Sequence, residues 1–207
     1  LPLERPLEEL LERLNTHRGA VFASGYEDPG RYSRWDIGFV DPPLELVARQ
    51  RDFTFRALNA RGGVLLEVLR QGLEEHEHLT ELAHQGDELR GTVAPMPAYF
   101  LEEERSKQPT IFSVMRALVA QMQAAGEKHL GFYGVMGYDL VFQFEPIELR
   151  HERGQDQPDL HLFLPDELIA VDHRKEQALR YSYEFALGAL ATEGLERGTE
   201  AVPCERG

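Results

Sequence analysis

The chain has 207 residues, a formal charge of −14 and 42% hydrophobic residues, enough apolar material for one large domain or two small ones. Its acidic balance, with an isoelectric point near 5.0, argues against nucleic acid or an anionic membrane surface as a partner. No apolar run reaches the roughly 18–20 residues of a membrane span, and the acidic N-terminus is unlike a signal or transit peptide. We therefore expect no nucleic acid and no membrane among the partners, and a cytoplasmic location. The single cysteine, Cys204, also fits a reducing compartment.

The first elements are a helix and two strands. Leucines at positions i, i+3, i+4 and i+7 predict an amphipathic helix over 6–14, and these residues are Leu7, Leu10, Leu11 and Leu14. Residues 20–23 are typical of a short buried strand, and alternation over 35–40 predicts a second strand. Asp28-Pro29-Gly30 indicates a turn between them.

The central part mixes both element types. Alternation predicts a strand over 53–57, ending in a tight turn at Arg61-Gly62-Gly63. Residues 64–84 are interpreted as a helix, although the second half is mostly polar. A clearer helix begins at Thr110, which can cap its N-terminus, and closes at Gly126. Its predicted apolar stripe consists of Ile111, Met115, Leu118, Val119 and Met122.

The last part is rich in strands. Strand patterns cover 160–165, 167–173 and 178–185, and the last two are joined by the turn-like HRKEQ. Consecutive strands with short connections predict an α+β fold with an antiparallel, sheet-rich domain and flanking helices. No internal repeat or long linker divides residues 1–207.

No catalytic or metal-binding constellation is recognisable. A strand could point His76 and His78 to one side, but no signature such as HExxH accompanies them or His84, so a solvated polar face is favoured. Gly131, Gly134 and Gly137 recur every third residue without matching a phosphate loop, which favours close backbone packing. Cys204 has no base nearby in sequence, and Glu102-Glu103-Glu104 is typical of a solvated run. We predict no catalytic residue, no metal and no cofactor for this chain alone.

One stretch carries a family resemblance. VFASGYEDPGRYSRWDIGF, from Val21 to Phe39, resembles the N-terminal signature of anthranilate synthase component I. Three further stretches fit that family in the same order: FTFRALNARG, GFYGVMGYDLVFQFEPI with Gly137-Tyr138-Asp139, and ELIAVDHRKEQALRYSYEF. The YEDPGRYSRWD form is similar to that of bacterial enzymes fused to their glutamine amidotransferase. The resemblance covers nearly the whole chain.

The resemblance implies a function and a regulatory site. Component I enzymes convert chorismate to anthranilate in tryptophan biosynthesis, with ammonia from a glutaminase partner and with Mg²⁺. Their chorismate- and Mg²⁺-binding residues lie in the C-terminal half, so residues 1–207 are expected to be the regulatory N-terminal region and inactive alone. Carried over by position, the tryptophan feedback site is lined by Val21, Ser24 and Gly25 and closed by Arg31, Tyr32 and Ser33.

Physical chemistry is compatible with that assignment. An amino-acid ligand needs a strand edge or turn for its charged groups and an apolar wall for its ring. The alternative for this stretch is an ordinary turn, and Trp35 and Phe39 pack inward under either reading. Gly137, Tyr138 and Asp139 are expected to position the catalytic half rather than to perform chemistry.

Two alternatives to this function stay open. One is a free-standing amino-acid-binding module, and the other is the equivalent region of a phenazine-type or aminodeoxychorismate synthase. The expected partners are tryptophan as inhibitor, the chorismate-binding region and the glutamine amidotransferase domain of the intact enzyme. Assembly into a homo-oligomer is left open.

Overall fold

A computed structural model describes residues 5–23, 35–97, 99–122, 127–145, 150, 151, 154 and 157–202. The α-helices among these residues are Arg5–Arg13 (α1), Ala60–Leu73 (α2) and Ile111–Met122 (α3). Two 3₁₀ segments cover Glu102–Lys107 and Tyr138–Gln143. The strands are Gly19–Phe22 (β1), Trp35–Val40 (β2), Leu44–Arg49 (β3), Asp52–Ala57 (β4), Leu79–Gln85 (β5), Glu88–Val93 (β6), Tyr133–Met136 (β7), Leu160–Leu164 (β8), Glu167–Asp172 (β9), Gln177–Ser182 (β10), Ala186–Leu187 (β11) and Leu190–Ala191 (β12).

The strands form two main sheets and a small hairpin. The larger sheet has the order β5-β6-β4-β3-β8-β7, and the smaller has the order β1-β2-β9-β10. Strands β11 and β12 pair with each other. All the pairings within the described residues are antiparallel, which confirms the predicted antiparallel-rich α+β fold.

The six-stranded sheet is the middle layer of the fold. One of its faces packs against α2 and α3 through a buried apolar core that includes Leu46, Phe55, Leu162, Leu69 and Leu118. The other face meets the four-stranded sheet. There the ring of Phe39 lies 6.0 Å from each of the rings of Phe163 and Tyr133.

The helix predicted over 64–84 is wrong in its second half. Helix α2 ends at Leu73, and residues from Leu79 onward form β5, paired with β6. β5 is an edge strand whose side chains are mostly exposed, so its sequence lacks the apolar alternation that marks a half-buried strand.

The tight turn predicted at Arg61-Gly62-Gly63 is also wrong, because these residues form the first turn of α2. The side-chain oxygen of Asn59 accepts a hydrogen bond from the Gly62 N–H at 3.0 Å and caps the helix. A Cβ on Gly62 would lie 2.0 Å from the Pro43 carbonyl oxygen, so this glycine serves close packing rather than a turn.

The predicted N-terminal elements are present with a different burial. The helix over 6–14 corresponds to α1, and its leucine stripe is only partly buried, since Leu10 is 4% exposed and Leu11 is 52% exposed. The strand predicted as buried over 20–23 corresponds to β1, which is half-buried and ends with an exposed Phe22. The turn predicted at residues 28–30 lies outside the described residues.

The helix predicted from Thr110 is confirmed as α3. Its first N–H, of Ile111, donates to Gln143 Oε1 at 2.8 Å, and the Ser113 hydroxyl accepts from the Thr110 N–H at 2.9 Å. In the apolar stripe Ile111 and Leu118 are buried, whereas Val119 is 50% exposed. Gly126, the predicted closing residue, lies outside the described residues.

The strands predicted near the C-terminus are confirmed as β8, β9 and β10, and β9 and β10 form the expected hairpin. Strand β10 ends at Ser182 rather than at Phe185. Within GFYGVMGYD, a Cβ on Gly134 would lie 2.1 Å from the His161 carbonyl oxygen, which confirms close backbone packing at this glycine.

No helix in the described part of the chain has the length and apolar character needed to cross a bilayer.

Candidate functional site

The structure describes one of the six residues predicted to form the tryptophan site. Val21 lies in β1 directly opposite Gly38 of β2. A Cβ on Gly38 would lie 3.2 Å from Val21 Cγ2 and 3.2 Å from Leu10 Cδ1, which places Val21 on the face of the small sheet that carries α1. Ser24, Gly25, Arg31, Tyr32 and Ser33 lie outside the described residues.

Two groups of aromatic rings lie between the two sheets, on the opposite face from Val21, and the Tyr133 hydroxyl of one group donates to the His129 carbonyl of the other. We call the two groups together the intersheet aromatic layer, which consists of Phe22, Trp35, Phe39, His129, Tyr133, Phe163, Tyr181 and Tyr183. Adjacent residues of a strand point to opposite faces, so Phe22 faces this layer while Val21 does not.

Both ends of the segment that carries the predicted site pack on this layer. The ring of Phe22, two residues before Ser24, lies 6.2 Å from the ring of Tyr133. The ring of Trp35, two residues after Ser33, lies 5.3 Å from the ring of His129 in an edge-on arrangement. The described residues on both sides of this segment therefore contact the layer.

The layer contains polar groups at its edge. The hydroxyl of Tyr133 donates to the carbonyl oxygen of His129 at 2.7 Å, and the ring of His129 lies 4.7 Å from that of Tyr181. Burial raises the pKa of Tyr133, so its hydroxyl stays a neutral hydrogen-bonding group at neutral pH. The aromatic residues between the sheets thus belong largely to a packed apolar cluster with a hydrogen-bonded edge.

A row of charged residues crosses the same face of the six-stranded sheet beside the layer. Glu45 is buried and accepts from Arg56 at 3.1 Å, and its other oxygen lies 2.8 Å from His161 Nε2. Arg56 also donates to Glu88 at 2.8 Å. The ring of His161 lies 4.9 Å from that of Phe163, which joins the charged row to the aromatic layer.

The histidines considered for a metal lie elsewhere. The rings of His76 and His78 are 5.5 Å apart, in the connection before β5, and His84 lies near the end of that strand. Among the described residues, no three or more His, Cys, Asp or Glu side chains are grouped as metal ligands. Cys204 lies outside those residues.

Sequence reasoning did not single out three members of the layer, His129, Tyr133 and Phe163. His129 and Tyr133 come from the segment before and within β7, and Phe163 comes from the β8 face opposite its buried leucines. Phe163 itself was a usable signal, because an apolar residue on the face opposite the buried leucines indicates that this face is also covered. No sequence pattern predicts the position of His129, because its ring meets the ring of Trp35 only in the folded chain.

Comparison with known proteins identifies the family. Over 197 residues, 95% of this chain, the sequence is 44% identical to an anthranilate synthase of Azospirillum brasilense. It is also 31% identical over 166 residues to anthranilate synthase component 1 of Buchnera aphidicola. The chain is a homologue of part of anthranilate synthase component I.

The match to anthranilate synthase component I covers only part of the relatives. The aligned residues span 27% of the Azospirillum protein and 31% of the Buchnera protein. A further relative, the pyocyanine-specific anthranilate synthase component 1 of Pseudomonas aeruginosa, is 25% identical over 72% of this chain and 27% of its own length. No protein-family model matches the chain.

Proposed function

We propose that this chain is the N-terminal, tryptophan-sensing region of an anthranilate synthase. In the intact enzyme it would bind tryptophan and lower the rate at which chorismate and ammonia or glutamine become anthranilate. The family homology supports the enzyme, at 44% identity over nearly the whole chain.

One observation supports the regulatory role. Phe22 and Trp35 bracket the segment predicted to bind tryptophan, and both pack on the intersheet aromatic layer. A ligand held by residues 24–33 would therefore have aromatic side chains of the layer close by. Indole gains both apolar burial and ring–ring contacts in such surroundings, and each favourable ring pair contributes roughly 0.5–1.5 kcal/mol.

The proposal includes partners beyond this chain. Chorismate and Mg²⁺ would bind a separate catalytic region, and ammonia would come from a glutamine amidotransferase. The 197 aligned residues are 27% of the Azospirillum protein, whereas 166 aligned residues are 31% of the Buchnera protein, so the former is the longer of the two. The greater identity to the longer relative favours the fused form, in which the amidotransferase belongs to the same polypeptide.

The pyocyanine-specific relative supports a second candidate product for the intact enzyme. The equivalent region of a phenazine-type enzyme would share the fold described here, while the catalytic region would release an aminated chorismate. Its identity of 25%, against 44% for the Azospirillum protein, favours anthranilate.

The test uses the intact protein that contains this chain. It is supplied with chorismate, Mg²⁺ and either glutamine or ammonia, and the product is separated by chromatography and identified by its fluorescence and mass. We expect anthranilate, and we expect tryptophan to inhibit its formation in a saturable way, whereas phenylalanine at the same concentration does not. Formation of another aminated product would contradict the enzyme assignment, and anthranilate formation insensitive to tryptophan would contradict the sensing role.

A further inference from the structure

Strand β7 leaves an apolar edge of the six-stranded sheet uncovered. It stands at the end of the strand order and pairs with β8, and no other described strand lies on its outer side. Val135 and Met136 of this strand are 65% and 52% exposed, and Tyr138, which follows it, is 87% exposed. Exposed apolar side chains that lie close together are characteristic of interaction surfaces.

The backbone of β7 offers hydrogen-bonding groups at this edge. Residues of an antiparallel strand alternate between those bonded to the partner strand and those whose N–H and C=O point away from it. The Gly137 N–H donates to the Asp159 carbonyl at 2.7 Å, and Val135, two residues earlier, has the same phase in the pairing with β8. The N–H and C=O groups of Gly134 and Met136 therefore point away from β8, toward the outer edge.

The opposite edge of the same sheet is protected against strand addition. Strand β5 carries mostly exposed, polar side chains, and its pairing with β6 is irregular between Leu79 and Glu81. Charged side chains and bulges are the usual means by which proteins block pairing at an exposed edge. Strand β7, with the sequence YGVM, contains no charged side chain, no proline and no irregularity in its register with β8. An edge without such protection favours a covering strand in the intact protein.

A hydrogen-bonded support holds the residues that follow β7. Tyr138 begins the 3₁₀ segment that ends at Gln143, and Gln143 is only 3% exposed. The side chain of Gln143 accepts from the Ile111 N–H at 2.8 Å and donates to the Gln50 carbonyl at 2.7 Å. A preformed surface loses little conformational entropy when a partner binds. Tyrosine is also frequent among the residues that contribute most to binding.

We propose that an extended segment of the catalytic region of the intact polypeptide adds to β7 as a seventh strand of the large sheet. The aligned residues make up only 27% of the Azospirillum relative, so most of a polypeptide of that length is available to supply the strand. The inference rests on the proposed function, because it assigns the segment to the region that would bind chorismate. The added strand forms backbone hydrogen bonds with Gly134 and Met136. Its apolar side chains cover Val135 on one face of the sheet and Met136 on the other.

Amide hydrogen exchange of the intact protein tests this pairing. Deuterium uptake is resolved to single residues by mass spectrometry with electron-transfer fragmentation. The Met136 N–H reports on the proposed strand, and the Val135 N–H, which faces β8, is the internal standard. We expect exchange at Met136 to be slowed at least ~100-fold relative to an unstructured peptide, because a paired strand opens rarely. Exchange at Met136 without this protection would overturn the proposal.

The outer edge of β5 provides a control within the same protein. The hairpin of β5 and β6 turns at Gly86 and Asp87, so Gln85 and Ala83 bond to β6 and the His84 N–H points outward. The His84 N–H should exchange at least ~10-fold faster than the Met136 N–H, because no described strand pairs with it. Equal exchange at the two positions would contradict the proposed covering of β7.

A pair of proline variants locates the contact. Met136→Pro removes an N–H that points away from β8, so it should speed exchange at Gly134 at least ~10-fold while Val135 stays protected. His84→Pro makes the same change at the β5 edge and should leave exchange at Gly134 unchanged. Unchanged exchange at Gly134 in a Met136→Pro protein that still protects Val135 would overturn the assignment. If Met136→Pro does not fold, the wild-type comparison of Met136 with His84 decides the question.

Pairing with a second copy of the chain is the competing outcome. Size-exclusion chromatography with light scattering gives the oligomeric state at each protein concentration used for exchange. Protection of Met136 in the monomer would support the proposal. Protection that is lost when dilution dissociates an oligomer would assign the edge to a second copy and overturn it.

Failure of this proposal is distinguishable from failure of the proposed function. An unprotected Met136 N–H would overturn the added strand while anthranilate formation and its inhibition by tryptophan persist. A different product, or insensitivity to tryptophan, would overturn the proposed function and leave the protection of β7 unchanged.

Discussion

The guanidinium of Arg61 and the carboxylate of Asp166 form an ion pair whose two side chains are only 1% and 3% exposed. Arg61 stands in the first turn of α2, and Asp166 stands just before β9, in the chain that joins the two sheets. The same guanidinium donates to the Tyr183 carbonyl at 2.9 Å and to the Thr192 carbonyl at 2.8 Å. The side chain of Arg61 therefore connects α2 to the chain that follows β10.

Replacing this arginine should destabilise the fold strongly. Arg61→Met keeps an apolar stem of similar length but leaves Asp166 buried beside only Arg197, which lies 3.4 Å away. Removing one partner of a buried ion pair typically costs about 3–5 kcal/mol, and urea unfolding monitored by circular dichroism measures the loss.

An exposed arginine is the control for that variant. Arg180 is 64% exposed and lies 3.9 Å from Glu167, so Arg180→Met should change the free energy of unfolding by less than about 1 kcal/mol. Similar losses in both variants would show that the buried network around Arg61 does not stabilise the fold.

Two adjacent glycines in α2 should respond oppositely to the same substitution. In Gly62→Ala the new methyl would lie 2.0 Å from the Pro43 carbonyl oxygen, whereas a Cβ on Gly63 has no atom within 4 Å. Overpacking costs about 1–3 kcal/mol, and Gly→Ala in an open helical position contributes roughly 0.5–1 kcal/mol of stability. We expect a lower Tm for Gly62→Ala and an unchanged or higher Tm for Gly63→Ala in differential scanning calorimetry. Equal shifts of one sign would contradict the packing of α2 against the loop before β3.

The sequence predicted those elements whose side-chain pattern reflects their own burial. The hairpin of β9 and β10 is recognisable because its apolar residues and its turn are local features. Helix α3 is recognisable for the same reason, since its stripe faces one core.

The elements that sequence reasoning missed owe their form to distant partners. Strand β5 is polar because it lies at a sheet edge, and it is a strand because β6 pairs with it. Strand β3 places Glu45 in a buried position that is tolerated only through His161 and Arg56. Arg61 was placed in a tight turn, and the acidic partner that holds it in α2 lies 105 residues away.

The same reasoning applies to the candidate site. The segment from Val21 to Ser33 was found through its resemblance to a family, and Trp35 and Phe39 were expected to pack inward. The layer that they join is assembled from five strands and from the segments before β7 and after β10, so no local pattern could define it. Even Val21 shows this limit, because its orientation depends on which face of β1 meets the large sheet.

Stability should depend on the ionisation of Glu45. Burial alone would raise the pKa of Glu45, but the hydrogen bond with His161 and the charges of His161, Arg18 and Arg56 hold it below its ordinary value of 4.5. A lowered pKa in the folded state stabilises the fold at pH values above the unfolded pKa, and this contribution is lost as the pH falls through the folded value.

Glu45→Gln tests that dependence. At pH 7 we expect a loss of about 1–3 kcal/mol, since a hydrogen-bonded charge is replaced by a neutral amide. The difference from the wild type should narrow as the pH falls below about 4.5, because the wild type then loses the same charge. Urea unfolding over a pH series gives the two curves, and Glu81→Gln on the exposed face of β5 serves as control. Parallel curves for the wild type and Glu45→Gln at all pH values would refute this role of Glu45.

The final prediction concerns Ser24 in the proposed tryptophan-sensing region. By resemblance Ser24 lines the ligand site, and in sequence it follows Phe22, whose ring contacts Tyr133 of the aromatic layer. Ser24→Phe would place a large ring where the indole is proposed to bind. Allosteric coupling of about 1–3 kcal/mol corresponds to a 5- to 150-fold change in affinity, so the inhibitory concentration of tryptophan should rise by a factor in that range.

Ser24→Ala is the graded control, because it removes a hydroxyl without filling space. It should raise the inhibitory concentration less than Ser24→Phe does if steric filling of the site is the cause. The measurement is a tryptophan titration of anthranilate formation at fixed chorismate for the intact wild-type protein and both variants. Unfolding curves that match the wild type establish that a changed titration reflects binding rather than misfolding. If a folded Ser24→Phe protein is inhibited at the same tryptophan concentration as the wild type, Ser24 does not line the site.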